Sequence, residues 1–177
     1  MKNNIIFLIS QPRSGSSFLQ IQLSLNKSIY SPPESSFLLK YLYKYNNFDR
    51  LSYDTVYFEH SVNDFLQKEK YILLDREFRK FVLNFYNNYG NSRNLYFLDK
   101  SPRYYHILSS LLRIFPDSKF IILLRNPLAV LNSILRYHYD YNLNKSLSEY
   151  SCNDLFYCLK VIDNIVPKCQ ILAPLQY

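Results

Sequence analysis

Residue types suited to holding an anion crowd into one stretch of this sequence, Gln11-Pro12-Arg13-Ser14-Gly15-Ser16-Ser17. A guanidinium, serine hydroxyls and the first backbone N–H groups of a following helix would converge there on one spot, the arrangement that seats a phosphate or sulfate group. Gly15 is one of only two glycines in the chain, the other being Gly90, so a rare residue stands where backbone must approach a ligand or take a positive φ. A plain strand-to-helix turn with a serine N-cap is the alternative. The first glycine and the lysine of G-x-x-x-x-G-K-[ST] are absent, and Arg13 is the nearby positive charge, which disfavours an NTPase.

Two later stretches carry similar chemistry. Arg125 of Arg125-Asn126-Pro127 can offer a bidentate donor to a phosphate, and Ser133, two helical turns on, can add a hydroxyl on the same side. An ordinary salt bridge for Arg125 and a solvated Ser133 are the alternatives. Asp99-Lys100-Ser101-Pro102-Arg103 is the other stretch, with Lys100 readable as a snorkelling strand-end lysine.

The elements around these stretches must bring them together. Ile5 to Ile9 read as a buried strand, followed by a helix from Ser16 to Leu25 with Phe18, Leu19 and Leu23 facing inward. Ser28-Ile29-Tyr30 is a brief strand. After Ser31-Pro32-Pro33, Glu34-Ser35-Ser36 opens a helix running to about Tyr45. Phe58, Val62, Phe65 and Leu66 suggest one helix, and Phe78, Phe81, Val82, Phe85 and Tyr86 a second, ending near Gly90. Leu95 to Leu98 form a strand, about Arg103 to Phe115 a helix, Lys119 to Leu124 the most apolar strand, and Leu128 to about Tyr139 a helix. A further helix over roughly Leu147 to Ile165 and a strand from Gln170 to Ala173 complete the pattern. Nearly continuous apolar strands alternating with helices predict an α/β fold with a parallel sheet covered on both faces. Ligands in such sheets bind beyond the carboxyl ends of the strands, which selects Gln11 to Ser17, Asp99 to Arg103 and Arg125 to Asn126 together.

The 177 residues suit one domain with a substantial core. The excess of Tyr and Asn reads as coding bias of an AT-rich genome. A net charge of +7 favours an anionic partner, yet the bases are dispersed and no run of like charge suggests nucleic acid. Cys152, Cys158 and Cys169 have no zinc-type spacing with the histidines, and reduced structural thiols in a cytoplasmic protein are expected. The apolar run at Ile5 is too short for a signal peptide, and no stretch approaches a transmembrane span.

Pro12-Arg13-Ser14-Gly15-Ser16-Ser17-Phe18-Leu19 resembles the P-R-S-G-[ST]-[ST]-x-L loop of sulfotransferases that use 3′-phosphoadenosine 5′-phosphosulfate, and Arg125 to Ser133 resembles their R-[DN]-P-x-x-x-x-x-S element. Asp99-Lys100-Ser101-Pro102-Arg103-Tyr104 is similar to the [DE]-K-[ST]-P-x-Y segment of relatives that modify carbohydrate hydroxyls. The resemblance implies a three-layer, P-loop-like α/β fold and no metal. It implies donor contacts from Arg13, Ser14, Gly15, Ser16, Ser17 and Phe18, and a 3′-phosphate held by Arg125 and Ser133. Lys100 would neutralise the leaving phosphate, with Arg13 assisting.

Glu34 matches in position the glutamate base of tyrosylprotein and heparan-type sulfotransferases, although a favourable first-turn helix carboxylate is the alternative. Small-molecule sulfotransferases use a His two residues after the counterpart of Lys100, where this chain has Pro102, so His106 would act from one turn further on. His60, His106 and His138 read as structural or surface residues, with Asp75 and Glu77 as reserve carboxylates. The resemblance implies an acceptor bearing a hydroxyl or amine, a carbohydrate, a protein tyrosine or a small molecule, among which the sequence does not choose. The end of the chain, Ile171 to Tyr177, is similar to the family's strand before a V-x-Y-E-D-L-type segment, so a domain incomplete at the C-terminus is expected. A non-catalytic nucleotide-binding remnant is the alternative, and a P-loop nucleotide or sugar kinase a more distant one.

Overall fold

Ile5–Ser10 (β1) lies at the heart of the fold because it has no polar side chain until its last residue and is buried along its whole length. The computed structural model describes residues 4–43, 55–89 and 95–138. In chain order, β1 is followed by α1 (Ser16–Ser24), β2 (Ile29–Tyr30), α2 (Phe37–Leu42), α3 (Thr55–Tyr89), β3 (Tyr96–Lys100), a 3-10 turn (Tyr104–Ile107) leading into α4 (Leu108–Ile114), β4 (Lys119–Leu123) and α5 (Pro127–His138).

All strand pairs are parallel and the order is β2-β3-β1-β4. The register sets Leu8 beside Lys100 and Ser10 beside Leu123, so β1, β3 and β4 end together along one rim of the sheet. Side chains alternate across the sheet. Ile6, Leu8 and Leu98 pack on one face against Leu19 and Leu23 of α1. Phe7 and Ile9 pack on the other against Leu38, Val82, Tyr86, Leu108 and Leu111. The protein is thus an α/β sheet with helices on both faces. Phe7 anchors the second face, its ring 5.5 Å from Phe115, 5.3 Å from Phe120 and 6.2 Å from Tyr104. Tyr86 brings α3 onto the sheet by stacking on Phe97 at 4.1 Å.

Several elements depart from the sequence reading. The two helices expected before Gly90 are one helix of 35 residues, since no glycine or proline interrupts 55–89. Ion pairs Arg79–Asp117 and Arg113–Asp75 tie its middle to α4 and the turn after it. The helix expected from Glu34 begins only at Phe37, because Ser36 adopts a left-handed backbone with φ 46°. Glu34 is therefore a loop residue rather than a first-turn helix carboxylate. β3 runs on through Asp99 and Lys100, which makes both strand residues. Phe18, expected to face inward, is 65% exposed, since Leu19 and Leu23 already take the sheet-facing positions of α1 and Phe18 is turned away by one residue's rotation. The helix and strand expected after residue 146, and the three cysteines, lie outside the described residues. Among the described residues, no helix is long and apolar enough to cross a membrane.

Phe7→Ala should lower stability by about 3–5 kcal/mol, because the ring is fully buried among three others and a cavity would remain. Urea unfolding followed by fluorescence or circular dichroism checks this through the shift in midpoint.

Candidate active site

The loop between β1 and α1 is shaped by backbone rather than by a capping side chain. Ser14 closes it with its backbone N–H and its hydroxyl both donating to the carbonyl of Gln11, at 3.3 Å and 2.6 Å. Gly15 caps α1 at φ 96°, a left-handed conformation that suits glycine, and no side chain accepts from the first turn. The serine N-cap expected as the alternative is therefore not formed. The helix's leading N–H groups are free of side-chain acceptors at the end of the loop, and its dipole favours negative charge there.

Arg13, Arg125 and Ser133 come together beside this loop. Arg125 Nη1 donates to the Arg13 carbonyl at 3.3 Å, and Arg13 Nε reaches Ser133 Oγ at 3.4 Å. The Arg13 guanidinium also lies over the ring of Tyr137, 4.0 Å from its centre. None of the ion pairs among the described residues involves Arg13 or Arg125. Among the described residues, two guanidinium groups thus share one locality without a carboxylate paired to either, a setting that favours negative charge. A cleft of about 640 Å³ opens alongside, lined by Ser14, Gly15, Phe18, Leu124, Arg125 and Asn126.

The second half of the site is at the end of β3, where Lys100 Nζ donates to Glu34 Oε2 at 2.5 Å and to Ser17 Oγ at 3.2 Å. The Lys100 side chain is only 3% exposed, against 40% for Glu34. A buried ammonium needs compensation, and this lysine finds it in the partly exposed Glu34 carboxylate and a hydroxyl of the first turn of α1.

Residues 31–36, which carry Glu34, are pinned along the same rim. Gln20 Nε2 of α1 donates to Ser31 Oγ at 2.9 Å and to the Pro32 carbonyl at 2.7 Å. Ser36 and Ser101 hydroxyls are 3.1 Å apart. Ser35 donates to Asp99 Oδ1 at 3.1 Å. Asp99 is buried, and its Oδ2 accepts from the hydroxyls of Tyr86 at 2.5 Å and Tyr104 at 2.8 Å. Burial pushes the Asp99 carboxyl above the usual range, with the three hydroxyl donors opposing that shift. Tyr86 and Tyr104 are pushed far up, first by burial and then by the Asp99 charge, so both remain protonated donors.

The other titratable groups named in the sequence have different settings. His106 is half-buried, its ring 4.2 Å from Tyr105 and 5.2 Å from Tyr43. Asp75 pairs with Arg113, and Glu77 with Arg76 and Lys80; the Lys80 hydrogen bond leads in holding Glu77 below the usual carboxylate range. The side chains of His60 and His138 lie outside the described residues. Sequence reasoning missed Tyr86, Ser35, Gln20 and Tyr137 as site-building residues. Only Tyr137, one turn after Ser133, carried a signal, since residues four apart share a helix face.

Comparison with known proteins identifies the family. The profile of the sulfotransferase family matches residues 5–176. The nodulation protein NoeE of Sinorhizobium fredii (strain NBRC 101917 / NGR234) is 31% identical over 131 residues, covering 73% of this chain and 30% of that protein. The chain therefore spans less than a third of that relative's length. With a glycine-turned strand-to-helix loop, a paired-arginine locality and a buried strand-end lysine at one rim of a parallel sheet, and with the family profile matched over residues 5–176, this chain belongs to the sulfotransferase family.

Proposed function

We propose that the chain transfers a sulfuryl group from 3′-phosphoadenosine 5′-phosphosulfate to a hydroxyl or amine of an acceptor. The observation that carries this reading is the contact of buried Lys100 with both Glu34 and Ser17, which links a donor-side hydroxyl to an acceptor-side carboxylate. Bound donor would supply an electrophilic sulfuryl group on a phosphate leaving group.

The residues present suit such a ligand. Gly15 lets the loop backbone turn toward the 5′ end, with Ser14, Ser16 and Ser17 adjacent, and the Arg13 and Arg125 guanidiniums offer donors to phosphate oxygens. Ser133, held near Arg13, belongs to the 3′-phosphate side, and exposed Phe18 on the cleft offers a ring for a base to stack on. Lys100 places a positive charge where the leaving oxygen gains negative charge. Glu34, partly exposed and outside any helix, takes the acceptor's proton as general base. His106, ringed by Tyr43 and Tyr105, is the weaker choice for that role.

A nucleotide-binding remnant without turnover is the second reading, since the loop around Gly15 with Arg13 and Arg125 accounts for donor binding without any acceptor. A P-loop kinase fits less well, because β4 is followed by Leu124-Arg125-Asn126 with no acidic residue to hold magnesium. The acceptor classes in view are carbohydrates, protein tyrosines and small molecules, and the proposed location is the cytoplasm.

Calorimetric titration with 3′-phosphoadenosine 5′-phosphate, against 5′-AMP and ATP, should show binding selective for the bisphosphate; equal or absent binding by folded protein contradicts the assignment. Glu34→Gln should lower the transfer rate by about 10²- to 10⁴-fold with nucleotide affinity nearly unchanged. Arg125→Ala should weaken the bisphosphate by about 1.5–3 kcal/mol, the range for a charged hydrogen bond, while 5′-AMP is far less affected. Equal losses for the two nucleotides would remove Arg125 from the 3′-phosphate.

A further inference from the structure

We infer that Asp99 is a positioning residue for the reaction, holding the loop that carries Glu34 in register with Lys100 through Ser35 and Tyr104. The inference rests on the roles proposed for Glu34 and Lys100.

The alternation of β3 sets it up. Asp99 pairs in register with Phe7 and Lys100 with Leu8, so their side chains leave the strand on opposite faces. Lys100 emerges toward α1, where it meets Ser17. Asp99 emerges toward α3 and the 3-10 turn, where it meets Tyr86 and Tyr104. Residues 34–36 straddle the end of the strand between these faces. Glu34 contacts Lys100, Ser35 contacts Asp99, and Ser36 contacts Ser101, so three consecutive residues of the loop meet three consecutive residues of the strand end.

The three hydroxyls around Asp99 suit a carboxylate there. The Leu38 N–H, which can only donate, gives its hydrogen to the Tyr104 oxygen at 3.3 Å. The Tyr104 hydroxyl keeps its own hydrogen to donate to Asp99, and Tyr86 and Ser35 donate to it as well. An acceptor-only carboxylate satisfies all three donors, whereas an amide would turn an N–H₂ group against at least one of them. The same tyrosine thus ties the start of α2 to the carboxylate that ties Ser35. The segment 31–38 is gripped on both sides of Glu34, by Gln20 before it and by the Asp99 cluster after it.

Transfer depends on where the base stands, and a displacement of about 1 Å can lower a rate by about 10²-fold. Lys100 is fixed in the strand, so the loop is the partner whose position must be imposed. Ser35 is the point at which to test this, because it is exposed and its hydroxyl, not its packing, makes the contact.

The experiment compares wild type, Ser35→Ala, Ser35→Thr, Tyr86→Phe and Asp99→Asn for kcat, KM, affinity for 3′-phosphoadenosine 5′-phosphate, and amide hydrogen exchange over 31–38. Ser35→Ala should lose about 10-fold or more in kcat, with KM and nucleotide affinity within about twofold of wild type, while exchange over 31–38 rises and that of β1 does not. Ser35→Thr, which keeps the hydroxyl, should restore most of the rate. Should Asp99→Asn fail to fold, Ser35→Ala and Tyr86→Phe carry the test. Wild-type kcat and wild-type exchange in Ser35→Ala would overturn the inference, as would equal losses in kcat and nucleotide affinity. Faster exchange over 31–38 in a chain whose wild type transfers no sulfuryl group would uphold the positioning and defeat the proposed activity instead.

Discussion

The structure turns on a buried positive charge at the edge of a parallel sheet. Lys100 extends from the last position of β3 with almost none of its side chain in water, and an ammonium in that setting is costly unless a carboxylate and hydroxyls surround it. Glu34 and Ser17 meet that need from two different segments. Their recruitment accounts for two otherwise unrelated features, the non-helical path of residues 31–36 and the approach of the first turn of α1 to the end of β3. The left-handed backbone at Ser36 keeps Glu34 out of α2, and the Gly15 turn brings α1 down on the opposite side.

A second charge imbalance lies a short way along the same rim. Arg13 and Arg125 approach one another through a guanidinium-to-carbonyl contact, and neither has an acidic partner among the described residues. Tyr137 and Ser133 of α5 hold Arg13 by its ring face and its Nε, leaving its remaining donors for a ligand. The rim is divided accordingly: a paired lysine and carboxylate at one end suit proton and charge movement, and two guanidiniums beside an apolar-walled cleft suit a phosphorylated nucleotide. The shared sheet supplies the rigidity that keeps these two ends at fixed separation, since β1 hydrogen-bonds to both β3 and β4.

The parallel sheet and its rim were legible because β1, β3 and β4 are short, nearly continuous apolar runs, and such runs have few places to go except between helices. Long-range pairing of polar groups was not legible. Nothing in the spacing of Tyr86, Ser35 and Asp99 announces that they meet, since the contacts join residues 13 and 64 positions apart. Helix ends were also decided by tertiary context. Prolines at 32 and 33 suggested a helix opening at Glu34, but the hydroxyl contacts of Ser35 and Ser36 with the strand end hold that stretch out of the helix until Phe37, which packs on Phe85 at 4.9 Å. Phe18 illustrates the limit of periodicity, because an apolar residue beside a buried stripe can equally well line a cleft.

By itself the sequence determined the strand-loop-helix unit around Gly15, the parallel α/β architecture and the order of the three polar strand ends, all of which follow from local patterning and from the rule that the carboxyl ends of parallel strands share one rim. Only the tertiary structure decided that Arg13 turns toward Ser133 and Tyr137, that Lys100 pairs with Glu34, and that Asp99 faces away from Lys100 to hold the loop beside it. The physical reason is that hydrogen bonds and ion pairs select partners by distance and direction in space. Side-chain alternation along a strand then sends neighbouring residues to opposite faces, where their partners come from distant parts of the chain.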